Sequence, residues 1–170
     1  MSTNIFYLIY SLFYVYSIAN AKGYGSTDIV ITKVEICKGP KRVDCAGASF
    51  IMKNNLSLTY ELDLKRDITL SGGKIEGSCE GKPFVKYQMK NPCDNLFIKS
   101  LFKTFVNISD SCMVAKGQYK FLVDVENISQ KYYNGVYFFG NWTYKSVFYG
   151  NSCNVICNVI ELIITPKKKY

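Results

Sequence analysis

The polar side chains of this chain exclude most of the familiar catalytic arrangements, because the sequence contains no histidine. Without histidine there is no Ser-His-Asp or Cys-His pair to activate a nucleophile, and the usual proton shuttle at neutral pH is missing. Most zinc sites are excluded for the same reason. We therefore expect a protein that is not an enzyme, with no cofactor and no metal.

Carboxylates are the remaining candidates for acid and base chemistry, since two of them can hydrolyse a glycosidic bond. None of them lies in a recognisable motif, and most fall on the polar side of a strand or in a turn. The acids concerned are Glu35, Asp44, Glu61, Asp63, Asp67, Glu76, Asp94, Asp124 and Glu161. A glycan-cleaving enzyme stays an alternative that would require two of these acids to face one cleft about 5 to 10 Å apart.

The N-terminus has the features of a secretory signal peptide. Residues 5–18 are uncharged and mostly apolar, and Ala19-Asn20-Ala21 has the small-x-small pattern that signal peptidase recognises. A transmembrane anchor is the alternative, but a span needs about 20 apolar residues. We predict a signal peptide at residues 1–21 and a single secreted domain at residues 22–170, a length that fits one hydrophobic core.

The cysteines and the N-glycosylation sequons are also typical of a secreted protein. Seven cysteines in a secreted chain predict disulfides, and the odd number leaves one thiol free or paired between chains. N-glycosylation sequons begin at Asn55, Asn107, Asn127 and Asn141. The mature protein is thus expected to be a secreted glycoprotein.

Short stretches of alternating apolar and polar residues predict β-strands. In NLSLTYEL, residues 55–62, the leucines and the tyrosine face one side and the polar residues face the other. QYKFLVDVE and KYQMK repeat the pattern. Further strands are predicted at residues 29–36, 68–75, 136–148 and 155–165, and Gly72-Gly73 is assigned to a hairpin turn. About seven such strands indicate an all-β sandwich.

The stretch CDNLFIKSLFKTFVNISDSC, from Cys93 to Cys112, departs from this alternation. Apolar residues recur there at three- and four-residue spacing, which predicts one short amphipathic helix that begins with Asp94 as its cap. The apolar positions are Phe97, Leu101, Phe102 and Phe105. An apolar helical face usually completes a core, so core packing is the first interpretation of these side chains.

The charge balance favours an anionic partner. Lys and Arg exceed Asp and Glu by 21 to 13, which gives a net charge of +8. Nucleic acid is not expected, because no nucleic-acid-binding motif appears and the chain is predicted to be secreted. An anionic membrane surface suits a secreted basic protein better.

Several features around the predicted helix resemble the ML lipid-recognition family, in particular its ganglioside-activator branch. They are Asn91-Pro-Cys-Asp94 before the helix, Cys112-Met-Val-Ala-Lys-Gly117-Gln-Tyr119 after it, Gly140-Asn-Trp142 at a later strand and Cys157 in the last strand. The resemblance covers residues 28–165. The first strand, ending at Cys37, is also similar to the sterol-carrier branch.

The resemblance implies two disulfides, Cys37 to Cys45 and Cys93 to Cys112. The family's early cysteine, bonded to the final strand, has no counterpart in the stretch KGYGSTDIV. Cys79, Cys153 and Cys157 therefore remain, with one pair expected among them.

The resemblance also implies an immunoglobulin-like two-sheet sandwich with an internal lipid cavity and the helix inserted between Cys93 and Cys112. In that arrangement the helix serves as a lid at the cavity mouth. The implied lipid-binding residues are Leu58, Tyr60, Val85, Tyr87, Phe97, Leu101, Phe102, Phe105, Tyr119, Phe121, Val123, Phe138 and Trp142.

The implied function is to sequester an acyl chain, glycolipid or sterol, as a monomer in extracellular fluid or the lysosomal lumen, and to present it to a membrane or partner. An alternative function of a different kind is protein interaction: the chain would then be a secreted interaction module with a filled core and no bound lipid.

Overall fold

The computed structural model describes residues 27–128 and 138–167. The predicted signal peptide lies outside the described residues, as do the first two residues of the strand predicted at 136–148. The strands are β1 Thr27–Ile36, β2 Ala46–Met52, β3 Ser57–Leu64, β4 Ile68–Thr69, β5 Gly72–Cys79, β6 Lys82–Met89, β7 Met113–Val114, β8 Gly117–Asp124, β9 Gly140–Tyr149 and β10 Asn154–Pro166. A 3₁₀ turn, Pro92–Asp94, precedes helix α1, Leu96–Phe105.

Two antiparallel sheets of unequal width form the sandwich. The wide sheet has five strands in the order β1-β10-β9-β5-β6, and the narrow sheet has three in the order β2-β3-β8. Strands β4 and β7 form a small separate ladder. The prediction of an all-β sandwich with one short helix between Cys93 and Cys112 is confirmed.

Alternation in β3 and β8 sets their inner faces as predicted. Leu58 pairs with Val123 and Tyr60 with Phe121 across the two strands, and these side chains pack in the main core. Strand β2 was missed, because its sequence AGASFIM is rich in small residues and shows little contrast between its two faces.

The strand predicted at residues 68–75 and its glycine turn were wrong. Residues 70 and 71 separate β4 from β5, and Gly72 and Gly73 lie inside β5. A Cβ atom on Gly72 would lie 2.4 Å from the Tyr149 ring, and one on Gly73 would lie 2.7 Å from the Phe148 ring. These glycines allow aromatic rings of β9 to approach the backbone closely, which is the role that glycine has inside a strand.

Helix α1 spans the gap between the two sheets. The Phe102 ring meets Phe148 of the wide sheet edge to face at 4.8 Å, and the Phe105 ring stacks on Phe121 of the narrow sheet at 4.6 Å. The predicted cap was one residue early: the Asn95 side chain accepts the backbone N–H of Ile98 at 3.0 Å. Asp94 belongs to the 3₁₀ turn.

The disulfide from Cys93 to Cys112 is confirmed, but the predicted Cys37–Cys45 bridge is wrong. Cys37 is bonded to Cys157, and Cys45 to Cys153. Cys37 follows β1, and its N–H donates to the Cys157 carbonyl of β10 at 2.9 Å, because β1 and β10 are hydrogen-bonded neighbours.

Cys45 reaches the start of β10 in a similar way, since its N–H donates to the carbonyl of Asn154 at 2.9 Å. The two bridges therefore join the segment between β1 and β2 to Cys157 of β10 and to Cys153, the residue before β10. Cys79 is the free cysteine, so the pair expected among Cys79, Cys153 and Cys157 does not form.

Peptide mapping without reduction should recover three bridged peptide pairs and one alkylated cysteine, Cys79. The reason is that backbone hydrogen bonds to the β10 region bring Cys37 to Cys157 and Cys45 to Cys153, while the local helix brings Cys93 to Cys112. A peptide that joins Cys37 to Cys45 would contradict this pairing.

Candidate functional site

Strands β5 and β6 expose apolar side chains on the core-facing side of the wide sheet. Tyr87 pairs with Ile75, and Val85 pairs with Gly77, which in turn pairs with Tyr144 of β9. Val85 and Tyr87 share the face of buried Met89, yet they are 40% and 45% exposed. We call Ile75, Gly77, Val85, Tyr87 and Tyr144 the open inner face.

The unequal widths of the sheets account for this exposure. β6 is the edge strand of the wide sheet, and the narrow sheet has two strands fewer with which to cover it. Gly77 has no side chain to project from the middle of the open inner face. A Cβ atom there would lie 3.1 Å from Cε1 of Tyr144 and 3.6 Å from Cβ of Val85. The result is exposed apolar surface on the core-facing side of the wide sheet.

Three stacked rings belong to the narrow sheet and the helix. Tyr60 of β3 stacks on Phe121 of β8 at 5.3 Å, and Phe121 stacks on Phe105 of the helix at 4.6 Å. Tyr119, on the same strand as Phe121, donates its hydroxyl to the Ala115 carbonyl at 2.7 Å. Offset stacking of this kind favours a fixed arrangement of the rings.

The Tyr60 hydroxyl is buried without a hydrogen-bond partner among the described residues, and the whole residue is 2% exposed. Burial raises the pKa of Tyr60 to about 12, since the charged phenolate is disfavoured away from water. The hydroxyl therefore keeps its proton at neutral pH and is available as a donor.

A second aromatic group surrounds Trp142 at the start of β9. The indole N–H donates to the Phe138 carbonyl at 2.7 Å, and the Phe84 ring meets the indole edge to face at 5.0 Å. Trp142 is buried, whereas Phe84 and Phe138 are exposed. Phe84 was missed because a register shift between Gly77 and Ser78 interrupts the alternation of β6.

The helix contributes both core and surface. Ile98 and Phe102 are buried, Phe97, Leu101 and Phe105 are partly buried, and Leu96 is 83% exposed. The Asn95 side chain donates to the Tyr87 hydroxyl at 3.2 Å, which joins the start of the helix to β6. Leu96 is consequently an exposed apolar side chain at the end of the helix nearest the open inner face.

The predicted lipid-binding residues thus differ in their surroundings. Four are buried: Leu58, Tyr60, Phe102 and Trp142. Six are partly buried: Phe97, Leu101, Phe105, Tyr119, Phe121 and Val123. Three are exposed: Val85, Tyr87 and Phe138. The structure brings Tyr60, Phe105 and Phe121 into one stack and places Phe138 with Trp142 in a separate group.

An open groove of about 660 Å³ lies against the narrow sheet and is lined by residues of β2, β3 and β8. Its lining includes the carboxylates of Glu61 and Asp63. Lys120 lies 2.7 Å from Glu61 and holds the pKa of that carboxyl below its ordinary value, through a hydrogen bond first and charge second. A glycosidase acid needs its pKa raised, so Glu61 is unsuited to that role.

The sequon asparagines Asn55, Asn107, Asn127 and Asn141 are all exposed. Asn141 has its side-chain amide 3.2 Å from the Glu80 carboxylate. Nothing in their burial obstructs attachment of a glycan.

Within residues 27–128 and 138–167, no group of three or more potential metal ligands is close enough to hold an ion. No helix of that same part is long and apolar enough to cross a bilayer. No protein-family model and no curated protein matches the chain. The resemblance to the ML family therefore rests on the residues quoted for it.

Proposed function

We propose that this protein is a secreted lipid-binding and transfer protein that sequesters the hydrocarbon part of a lipid between its two sheets. The observation that carries the proposal is the open inner face, where Val85 and Tyr87 are exposed on the core-facing side of the wide sheet. Exposed apolar surface beside an interior space is a common feature of ligand sites.

Burial of hydrocarbon supplies enough free energy for this function. Each buried methylene contributes about 0.8 kcal/mol, so about ten methylenes contribute roughly 8 kcal/mol, which corresponds to micromolar affinity. In this proposal the hydrocarbon chain of the lipid has apolar groups on both sides. The stacked rings of Tyr60, Phe121 and Phe105 lie on one side, and the open inner face lies on the other. No covalent step is required.

Helix α1 is the proposed point of contact with the membrane. Leu96 is 83% exposed at its first turn, and the net charge of +8 attracts the protein to anionic lipid. Insertion of Leu96 would bring the open inner face close to the bilayer, because Asn95 is hydrogen-bonded to Tyr87. Lipid could then pass between membrane and protein over a short distance.

Three disulfides favour an oxidising compartment, in agreement with the predicted signal peptide. The proposed location is extracellular fluid or the lysosomal lumen. There the protein, as a monomeric glycoprotein, would carry a glycolipid, sterol or acyl chain and present it to a membrane or to a partner.

Strand β6 also supports the alternative function of a protein-interaction module. Residues 82–88 are all exposed, and β6 ends the wide sheet, so its outer edge can pair with a strand of another protein. Lys82 and Lys86 weaken this possibility, because charged side chains on an edge strand discourage such pairing.

Mass spectrometry of organic extracts from natively purified protein tests the proposal directly. We expect a lipid at near one equivalent per chain, which denatured and washed protein should lack. An interaction module would give no extractable lipid and would not take up fluorescent fatty acids or sterols added afterwards.

Replacement of Leu96 by aspartate should weaken binding to vesicles of phosphatidylcholine and phosphatidylserine by about tenfold. The change removes an apolar side chain whose burial in a bilayer is worth roughly 1.5 to 3 kcal/mol. Vesicle sedimentation would measure it, and binding of the unchanged protein should weaken as salt is raised, since screening shortens the reach of the charges.

Leu122→Asp is the matched control. Leu122 is 55% exposed on β8, on the face opposite to Phe121, and carries the same change in charge. Equal losses in the two variants would show that charge alone causes the effect and would remove helix α1 as the contact.

A further inference from the structure

Apolar packing accounts for the burial of the Tyr60 ring but not for the burial of its hydroxyl group. Its oxygen is buried and has no hydrogen-bond partner among the described residues. Nearly all buried polar groups in native proteins are paired, because a buried donor that loses water and finds no acceptor destabilises the fold. The group is therefore expected to meet an acceptor when the protein is occupied.

The surroundings of Tyr60 disfavour water as that acceptor. Its same-face neighbours are Phe50 and Phe121 on the adjoining strands and Leu58 and Leu62 along β3, all apolar. A buried water requires about two to four polar partners. None of these four side chains offers a hydrogen-bonding atom, so a water beside them would lose hydrogen bonds.

A ligand oxygen needs fewer hydrogen-bond partners than a buried water molecule does. A carbonyl or ether oxygen in a hydrocarbon chain needs only a donor, and the rest of the ligand gains from apolar contact with the neighbouring rings. A carboxylate is disfavoured, since none of the four same-face neighbours carries a positive charge and burial of an unpaired charge is costly.

We propose that the ligand held between the sheets carries an uncharged oxygen acceptor within its buried hydrocarbon part, to which the Tyr60 hydroxyl donates a hydrogen bond. This inference rests on the proposed lipid-binding function and narrows the ligand class. Lipids with an internal ester, ketone, ether or hydroxyl oxygen fit the site better than plain saturated chains of the same length.

The test uses two probes that differ only at this position, 7-tridecanone and tridecane, with the unchanged protein and Tyr60→Phe. Native mass spectrometry would give four dissociation constants. In Tyr60→Phe, the preference for ketone over alkane should fall about fivefold, the effect of one net hydrogen bond. The affinity for tridecane should not change, because the ring is retained.

Tyr149→Phe serves as the control, since the Tyr149 ring packs on Gly72, on the side of the wide sheet opposite to the core residue Phe148. It should leave the ketone preference unchanged. Thermal unfolding of ligand-free protein adds a second measurement: Tyr60→Phe should melt no lower than the unchanged protein.

An unchanged ketone preference in Tyr60→Phe would overturn this inference and leave lipid binding in place. A lower melting temperature for ligand-free Tyr60→Phe would overturn it as well, because the hydroxyl would then already have a partner. If neither probe binds either protein and no lipid is extracted from native material, both this inference and the proposed function fail.

Discussion

Replacement of Phe102 by alanine should lower the free energy of unfolding by about 3 to 5 kcal/mol, the range for loss of a buried aromatic side chain. Phe102 is 6% exposed and meets Phe148 edge to face at 4.8 Å, so its removal leaves a cavity between the helix and the wide sheet. Chemical denaturation, followed by intrinsic fluorescence, would measure the change.

Leu96→Ala provides the comparison on the same helix. Because Leu96 is 83% exposed, its truncation should change the free energy of unfolding by no more than about 0.5 kcal/mol, as is usual at the surface. Similar values for the two variants would mean that the helix does not rest on the wide sheet. The expected difference separates the part of the helix that belongs to the core from the part available for membrane contact.

The same comparison shows what sequence could predict about the helix. Three- and four-residue spacing located it, but the apolar arc is broad, and Phe97 and Phe102 differ in burial although both belong to it. Which of these side chains is buried depends on two surfaces that contact the helix from different sides. They are formed by Phe148 of the wide sheet and Phe121 of the narrow sheet. The sequence of the helix alone does not show which surfaces will contact it.

Strand β6 illustrates a second limit. The alternation of KYQMK correctly placed Tyr87 and Met89 on one face, but Met89 is buried and Tyr87 is 45% exposed. The periodicity of a strand defines its faces, whereas exposure depends on how far the opposite sheet extends. The open inner face therefore follows from strand order in the two sheets and had no local signal.

The disulfides give a third example. Cys37 and Cys45 are close in sequence, yet Cys37 is bonded to Cys157 of β10 and Cys45 to Cys153, the residue before β10, with sequence separations of 120 and 108. Hydrogen bonding between β1 and β10 determines the first partner, and the contact of Cys45 with Asn154 determines the second. By contrast, the bridge from Cys93 to Cys112 encloses one local helix, and the motif around that helix was enough to predict it.

Replacement of Gly77 by leucine should reduce lipid affinity by about a hundredfold. The leucine side chain would occupy the middle of the open inner face, between Val85 and Tyr144. It would displace about four ligand carbons, at roughly 0.8 kcal/mol each, which together correspond to about 3 kcal/mol and hence to that loss of affinity. Titration with a fluorescent fatty acid or sterol would measure the change.

The variant is expected to fold, because the backbone at Gly77 is not in the left-handed region. Its new Cβ atom would lie 3.1 Å from Cε1 of Tyr144, so that partly exposed ring must move by a few tenths of an ångström. Overpacking of this kind costs roughly 1 to 3 kcal/mol. Thermal unfolding is therefore measured together with lipid titration, and affinity is compared only for folded protein.

Gly47→Leu is the matched control, since a Cβ atom there meets nothing within 4 Å and the residue lies in the groove against the narrow sheet. It should leave lipid affinity unchanged. Loss of binding in Gly47→Leu with none in Gly77→Leu would move the site from the space between the sheets to that groove. Unchanged binding in both variants would exclude the open inner face from the site, because a ligand that contacts Val85 and Tyr144 cannot share their space with a leucine.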